Sequence, residues 1–146
     1  MKKLFYIVLF VSITNAGFTQ STCNTALPFC TGTTYTFPAS TGTPAPTGAN
    51  FGCLWTQPNP AFYFMEIDNP GNIIINIQGI GTTGGTNDID FICGGPFTNP
   101  ATMCSQLTAA NIVDCSYSPT WNETCQINGA SSGDYYVLLI TNYSNQ

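Results

Sequence analysis

Gly133-Asp134-Tyr135-Tyr136-Val137-Leu138-Leu139-Ile140-Thr141-Asn142-Tyr143 decides the fold. Aromatic and β-branched residues crowd it, and nothing from Asp134 to Tyr143 breaks the chain. Successive strand side chains point to opposite faces, so apolar residues at consecutive positions need cover on both. The stretch therefore predicts a central strand over Asp134 to Tyr143.

Working outward, Asp88 to Cys93 predicts another strand, ended by Gly94-Gly95-Pro96. Ala61 to Ile67 and Asn72 to Gln78 flank Asp68-Asn69-Pro70-Gly71, a turn in which Pro fixes φ and Gly takes positive φ. Ile73, Ile75 and Ile77 share one face of the second segment. The two segments predict an antiparallel hairpin. Trp121 to Ile127 predicts a further strand before the Asn128-Gly129 turn, and Tyr35–Phe37 a short one. Residues 31–50 are rich in Thr, Gly and Pro and predict a long surface loop. Pro100 to Leu107 has modest helical character. The expected fold class is all-β: a disulfide-stapled antiparallel β-sandwich, jelly-roll-like, of about seven strands, with at most one short helix near 100–108.

The N-terminus predicts export. Met1-Lys2-Lys3 is a positive start, and Leu4 to Ile13 is apolar except for Ser12. That run is too short to span a bilayer, which takes about 20 residues, and it fits a secretory signal. The expected organisation is a signal peptide over 1–20 and one β-sandwich domain over 21–146, truncated at its C-terminal end. Cleavage after Ala16 and cleavage near Thr19–Gln20 both remain open. The truncation follows from the central strand, after which only Ser144-Asn145-Gln146 remain beyond Tyr143. The mature chain is expected to be secreted or displayed at the cell surface, with no membrane insertion.

Charge excludes whole classes of function. Only 6% of the residues are charged, against roughly 25% in an average domain. The two basic residues are Lys2 and Lys3, and there is no histidine. Residues 21–146 thus hold acids alone: Glu66, Asp68, Asp88, Asp90, Asp114, Glu123 and Asp134. Nucleic acid is not an expected partner, because phosphate needs cations. A histidine triad, a Schiff-base lysine and a P-loop lysine are all missing.

Cys23, Cys30, Cys53, Cys93, Cys104, Cys115 and Cys125 are disulfide candidates, since an exported chain meets an oxidising compartment. Zinc fits poorly without histidine or a CxxC pair. Seven is odd, so one cysteine is left over or has its partner elsewhere. Short-range pairings open to the chain are Cys23–Cys30, Cys104–Cys115 and Cys93–Cys125.

Three segments carry a resemblance: Asp88-Ile89-Asp90-Phe91-Ile92-Cys93-Gly94-Gly95-Pro96-Phe97, Ile112-Val113-Asp114-Cys115-Ser116-Tyr117-Ser118, and Gly133 to Ser144. With Cys23…Ala26-Leu27-Pro28-Phe29-Cys30 and Asn59-Pro60-Ala61-Phe62-Tyr63-Phe64-Met65, their order resembles an N-terminal β-sandwich domain of secreted Bacteroidetes surface proteins. Those proteins are associated with gliding motility and PKD repeats. The chain is also similar to bacterial pre-peptidase C-terminal domains, and departs from the pattern at Gly94 and Cys125. The resemblance implies type IX secretion, cell-surface display, further domains of the same polypeptide, and a final strand with a cysteine. It carries over no catalytic residue.

Few constellations carry chemistry. Asp88 and Asp90 lie two apart on a strand, so both carboxylates share a face and are candidate Ca²⁺ ligands. No other cofactor is expected. Glu66 with Glu123 or an aspartate would be the only route to a glycosidase-like carboxyl pair; the chain is expected not to be an enzyme. Trp55 and Trp121, with Tyr63, Tyr117 and Tyr143, are candidates to stack on sugar rings. The leading expectation is a non-catalytic extracellular module of an adhesin-like protein, acting in binding or spacing toward an extracellular polysaccharide or surface protein. The alternative is a carbohydrate-binding accessory module of a secreted hydrolase.

Overall fold

The computed structural model describes residues 20–30, 32, 34–36, 41–44, 51–81 and 84–144. The signal-peptide reading falls on residues outside this set, except for Gln20. Gln20 belongs to the fold: its side-chain amide donates to the Tyr63 hydroxyl at 2.7 Å. Its carbonyl accepts the Phe62 N–H at 2.8 Å.

Among the described residues there are seven strands. They are β1 (Leu27–Pro28), β2 (Pro60–Glu66), β3 (Gly71–Gln78), β4 (Ile89–Phe97), β5 (Ile112–Ser116), β6 (Asn122–Ala130) and β7 (Tyr135–Asn142). One four-residue helix, α1 (Met103–Gln106), lies inside the predicted helical stretch. The architecture is the expected all-β, disulfide-bearing sandwich. One sheet has five strands in the order β1-β2-β7-β4-β5, and the other pairs β3 with β6. All pairings are antiparallel except the short β1–β2 pair, which is parallel.

β7 occupies the centre of the large sheet, as its sequence requires. Val137 and Leu139 face one side and Leu138 the other, and all three are buried. Burying each stabilises the fold by about 2 kcal/mol. The side facing the small sheet packs Tyr63, Met65, Phe91, Cys93 and Leu138 against Ile77, Cys125 and Ile127. Among the described residues, no second sheet lies over the opposite side. Phe51, Leu54, Met103 and Leu107 cover it instead, from the 51–57 loop and the α1 region. Both disulfides, Cys23–Cys104 and Cys53–Cys115, hold that covering layer.

The predicted hairpin does not form. β2 pairs with β1 and β7, and β3 pairs with β6, so residues 67–70 carry the chain from one sheet to the other. The burial of each strand explains this. β2 is buried on both faces and needs a central position, whereas β3 alternates and suits a sheet with one wet face. Nor does Gly94-Gly95-Pro96 end its strand. β4 runs on to Phe97, with an irregular register between Gly94 and Phe97. Gly95, at φ 150°, lets β4 approach β7 closely. A Cβ there would lie 2.5 Å from Tyr136 Cδ1 and 2.9 Å from the Tyr135 carbonyl oxygen. Likewise β6 passes through Asn128-Gly129 to Ala130, with the Gly129 N–H bonded to Asn72 Oδ1. Thr34–Thr36 are not in a strand, and Phe37 lies outside the described residues.

Candidate functional site

Strand direction gathers the loops. β2, β4 and β6 begin, and β3, β5 and β7 end, at one end of the sandwich. The register pairs Pro60 with Thr141, Ile89 with Asn142, Phe91 with Ser116 and Gln78 with Asn122. The segments 79–81, 84–88, 117–121 and 143–144 therefore meet there, and the 51–59 loop reaches them at Asn59. Hydrogen bonds stitch them together. The Ile89 N–H donates to the Thr120 carbonyl (3.1 Å), Gly79 to Trp121 (2.8 Å) and Tyr143 to Asp88 (3.0 Å). The 51–59 loop is pinned at both ends, by the Cys53–Cys115 bridge and by the Asn59 amide donating to the Asn142 carbonyl at 3.0 Å.

This end is where the chain exposes its apolar surface. Of the nine large hydrophobic residues exposed among the described ones, four stand here, Ile80, Tyr117, Trp121 and Tyr143, and Trp55 is carried by the 51–59 loop, which reaches this end at Asn59. Trp55 is 88% exposed and Trp121 41%. Exposed apolar residues gathered at one place mark interaction surfaces, whereas single ones do not. The Tyr117 and Tyr143 rings meet edge to face, their centroids 5.7 Å apart. A hydrogen bond with Tyr117 raises the pKa of the Tyr143 phenol, which stays neutral in physiological water. Of the residues predicted to stack on sugars, Trp121, Tyr117 and Tyr143 thus come to one end, while Trp55 is exposed on the 51–59 loop. Tyr63 does not. It is buried between the sheets and bonded to Gln20.

Asp88 and Asp90 sit beneath the same end. Asp90 is 2% exposed, and its Oδ1 accepts the Ser118 N–H at 3.1 Å. Burial, helped by the negative charge of Asp88, pushes its pKa up to about 6. Asp90 thereby anchors the loop that carries Tyr117 and Trp121. Asp88 Oδ1 and Thr141 Oγ1 are buried without a hydrogen-bond partner in this structure. Among the described residues, no three of His, Cys, Asp and Glu come together in a geometry that could hold a metal ion. The other carboxyl pair named from the sequence is not assembled. Glu123 is at this end, where it accepts the Ser116 hydroxyl at 2.8 Å. Glu66 closes β2 at the opposite end, about 20 Å along the strand.

The cysteines depart from the short-range pairings. Cys23 joins Cys104 rather than Cys30, and Cys115 joins Cys53 rather than Cys104. The structure does bring Cys93 and Cys125 together as thiols in the inter-sheet core. Cys30 is exposed. An open cleft of about 610 Å³ lies beside β3 and runs up to this end, lined by Phe29, Tyr63, Ile75, Ile77, Ile80 and Asn142 among others.

Comparison with protein-family models, with curated proteins and with solved structures finds no match for this chain. Among the described residues, no helix is long and apolar enough to cross a membrane.

Proposed function

We propose that the chain is a non-catalytic extracellular binding module of a secreted or surface-displayed, adhesin-like protein, and that the aromatic end of its sandwich contacts a neutral polysaccharide. The carrying observation is the gathering of Tyr117, Trp121 and Tyr143, exposed, on loops tethered by hydrogen bonds, with Trp55 exposed on the disulfide-tethered loop that runs up to them at Asn59. Flat amphipathic rings offer contact area and hydrogen bonds together, which suits the alternating apolar and hydroxylated faces of a sugar. The absence of Lys, Arg and His beyond Lys3 favours a neutral ligand over an anionic one. Tethered loops lose little entropy on binding. Two disulfides fit an oxidising compartment, and so does the apolar N-terminal run after Lys2-Lys3.

A polysaccharide pull-down and glycan array test this, using the wild-type chain and the variants Trp55→Ala, Trp121→Ala and Tyr143→Ala. The expected result is binding to a neutral glycan that weakens about tenfold or more in at least one variant whose melting temperature is unchanged. Failure of the wild-type chain to bind any neutral glycan would overturn the proposal, as would equal binding by all three variants.

A further inference from the structure

We propose that Cys93 and Cys125 are joined in a third disulfide, one that ties the two sheets together through the core. Cys93 lies on β4 of the large sheet and Cys125 on β6 of the small sheet, both fully buried in one apolar cluster. The two share the cluster where β4 and β6 pack, and Cys125 together with burial raises the pKa of the Cys93 thiol. Their surroundings include Phe91, Ile127, Tyr136 and Leu138. The carboxylate whose charge acts on Cys93 is Asp114, and no metal-binding group forms among the described residues. A pair of thiols in such a place is either two small apolar side chains or a bridge.

The other two bridges decide between these. Cys23–Cys104 and Cys53–Cys115 require that the folding chain meet a disulfide-bearing oxidant, a thiol–disulfide oxidoreductase or a small-molecule disulfide. The same oxidant completes the third. One thiolate attacks the oxidant's disulfide to give a mixed disulfide, and the second thiolate displaces the oxidant's remaining sulfur. Two S–H bonds and one oxidant S–S bond break. One protein S–S bond and two oxidant thiols form, and these take up both electrons and both protons. Both sulfurs are shut off from solvent in the finished fold, so the reaction belongs to the stage before the sheets close. The two observed bridges fasten loops over the outer face of the large sheet, whereas this one fastens sheet to sheet.

Disulfide mapping of the full chain, exported to an oxidising compartment, is the direct test. The protein is unfolded without reductant, alkylated with iodoacetamide and cut with pepsin at acid pH, where thiol exchange is suppressed. The expected product joins the Cys93 and Cys125 peptides, lighter by two hydrogens than the free thiols, beside a joined Cys23–Cys104 product. Recovery of Cys93 and Cys125 both alkylated, with Cys23–Cys104 joined, would overturn the proposal. So would either one joined to a different cysteine. A second measurement compares the fall in melting temperature caused by reductant in the wild type and in Cys93→Ala/Cys125→Ala. The bridge predicts a larger fall in the wild type, and equal falls would also overturn it.

Discussion

Asp90 shows what a single buried carboxyl does in a chain with almost no cations. Its pKa of about 6 means that the folded state holds the proton more tightly than the unfolded chain, where the value is 3.8. The sign follows by linkage. Above about pH 6 the folded state carries a desolvated charge beside Asp88 and is penalised. As the pH falls from about 6 toward 4 the penalty fades, and below 4 both states are protonated. Glu123, also raised by burial, adds in the same direction. Asp90→Asn removes the charge and keeps an oxygen for the Ser118 N–H. It is expected to melt a few degrees above the wild type at pH 7, with the difference vanishing near pH 4 in calorimetric scans at both values. A variant that melts below the wild type at pH 7 would contradict this account. Asp88, Asp90, Trp55 and Trp121 were legible as residue types. The partner of Tyr63 was not, because Gln20 reads as the tail of a leader and its contact spans 43 positions.

Among the elements, local signals held where they stayed local. β7 was legible because apolar residues at consecutive positions have one meaning in a strand. Asp68-Asn69-Pro70-Gly71 turns the chain as its residues predict, yet the turn changes sheets instead of making a hairpin. The choice between those outcomes depends on what takes the edges of β2. β1 and β7 do, and both lie more than 30 residues from it along the chain. β5 escaped notice as a strand: it is short and only half-buried at most positions. The cysteine pairs were illegible for the same reason, since the bridges link positions 81 and 62 apart. Separations that long also make each bridge strongly stabilising. Loop-closure entropy gives about 4 kcal/mol apiece. Cys23→Ala/Cys104→Ala and Cys53→Ala/Cys115→Ala are each expected to lower unfolding free energy by about that amount in urea titration. A loss under about 1 kcal/mol in either would show that the outer layer holds without its staple.

At the scale of the molecule, the sandwich is asymmetric. One face of the large sheet is roofed by a second sheet, and the other by loops and a short helix under disulfides. Alternating connections bring the 79–81, 84–88, 117–121 and 143–144 segments to one end, and the aromatic residues they carry, Tyr117, Trp121 and Tyr143, are exposed. That gathering could not be read from the sequence, where Tyr117 and Tyr143 are far apart. It emerges from strand order and register. The two tryptophans are the only ones in the chain, so each indole N–H gives its own resonance in a ¹H–¹⁵N correlation spectrum. Titration with the neutral oligosaccharide that the chain binds best is the most direct measurement. The account predicts that the Trp121 indole, the Trp55 indole or both shift, along with the backbone amides of 117–121 and 143–144, while amides around 67–70 and 131–134 at the opposite end stay in place. Shifts confined to that opposite end, or to the residues of the β3 cleft, would contradict it.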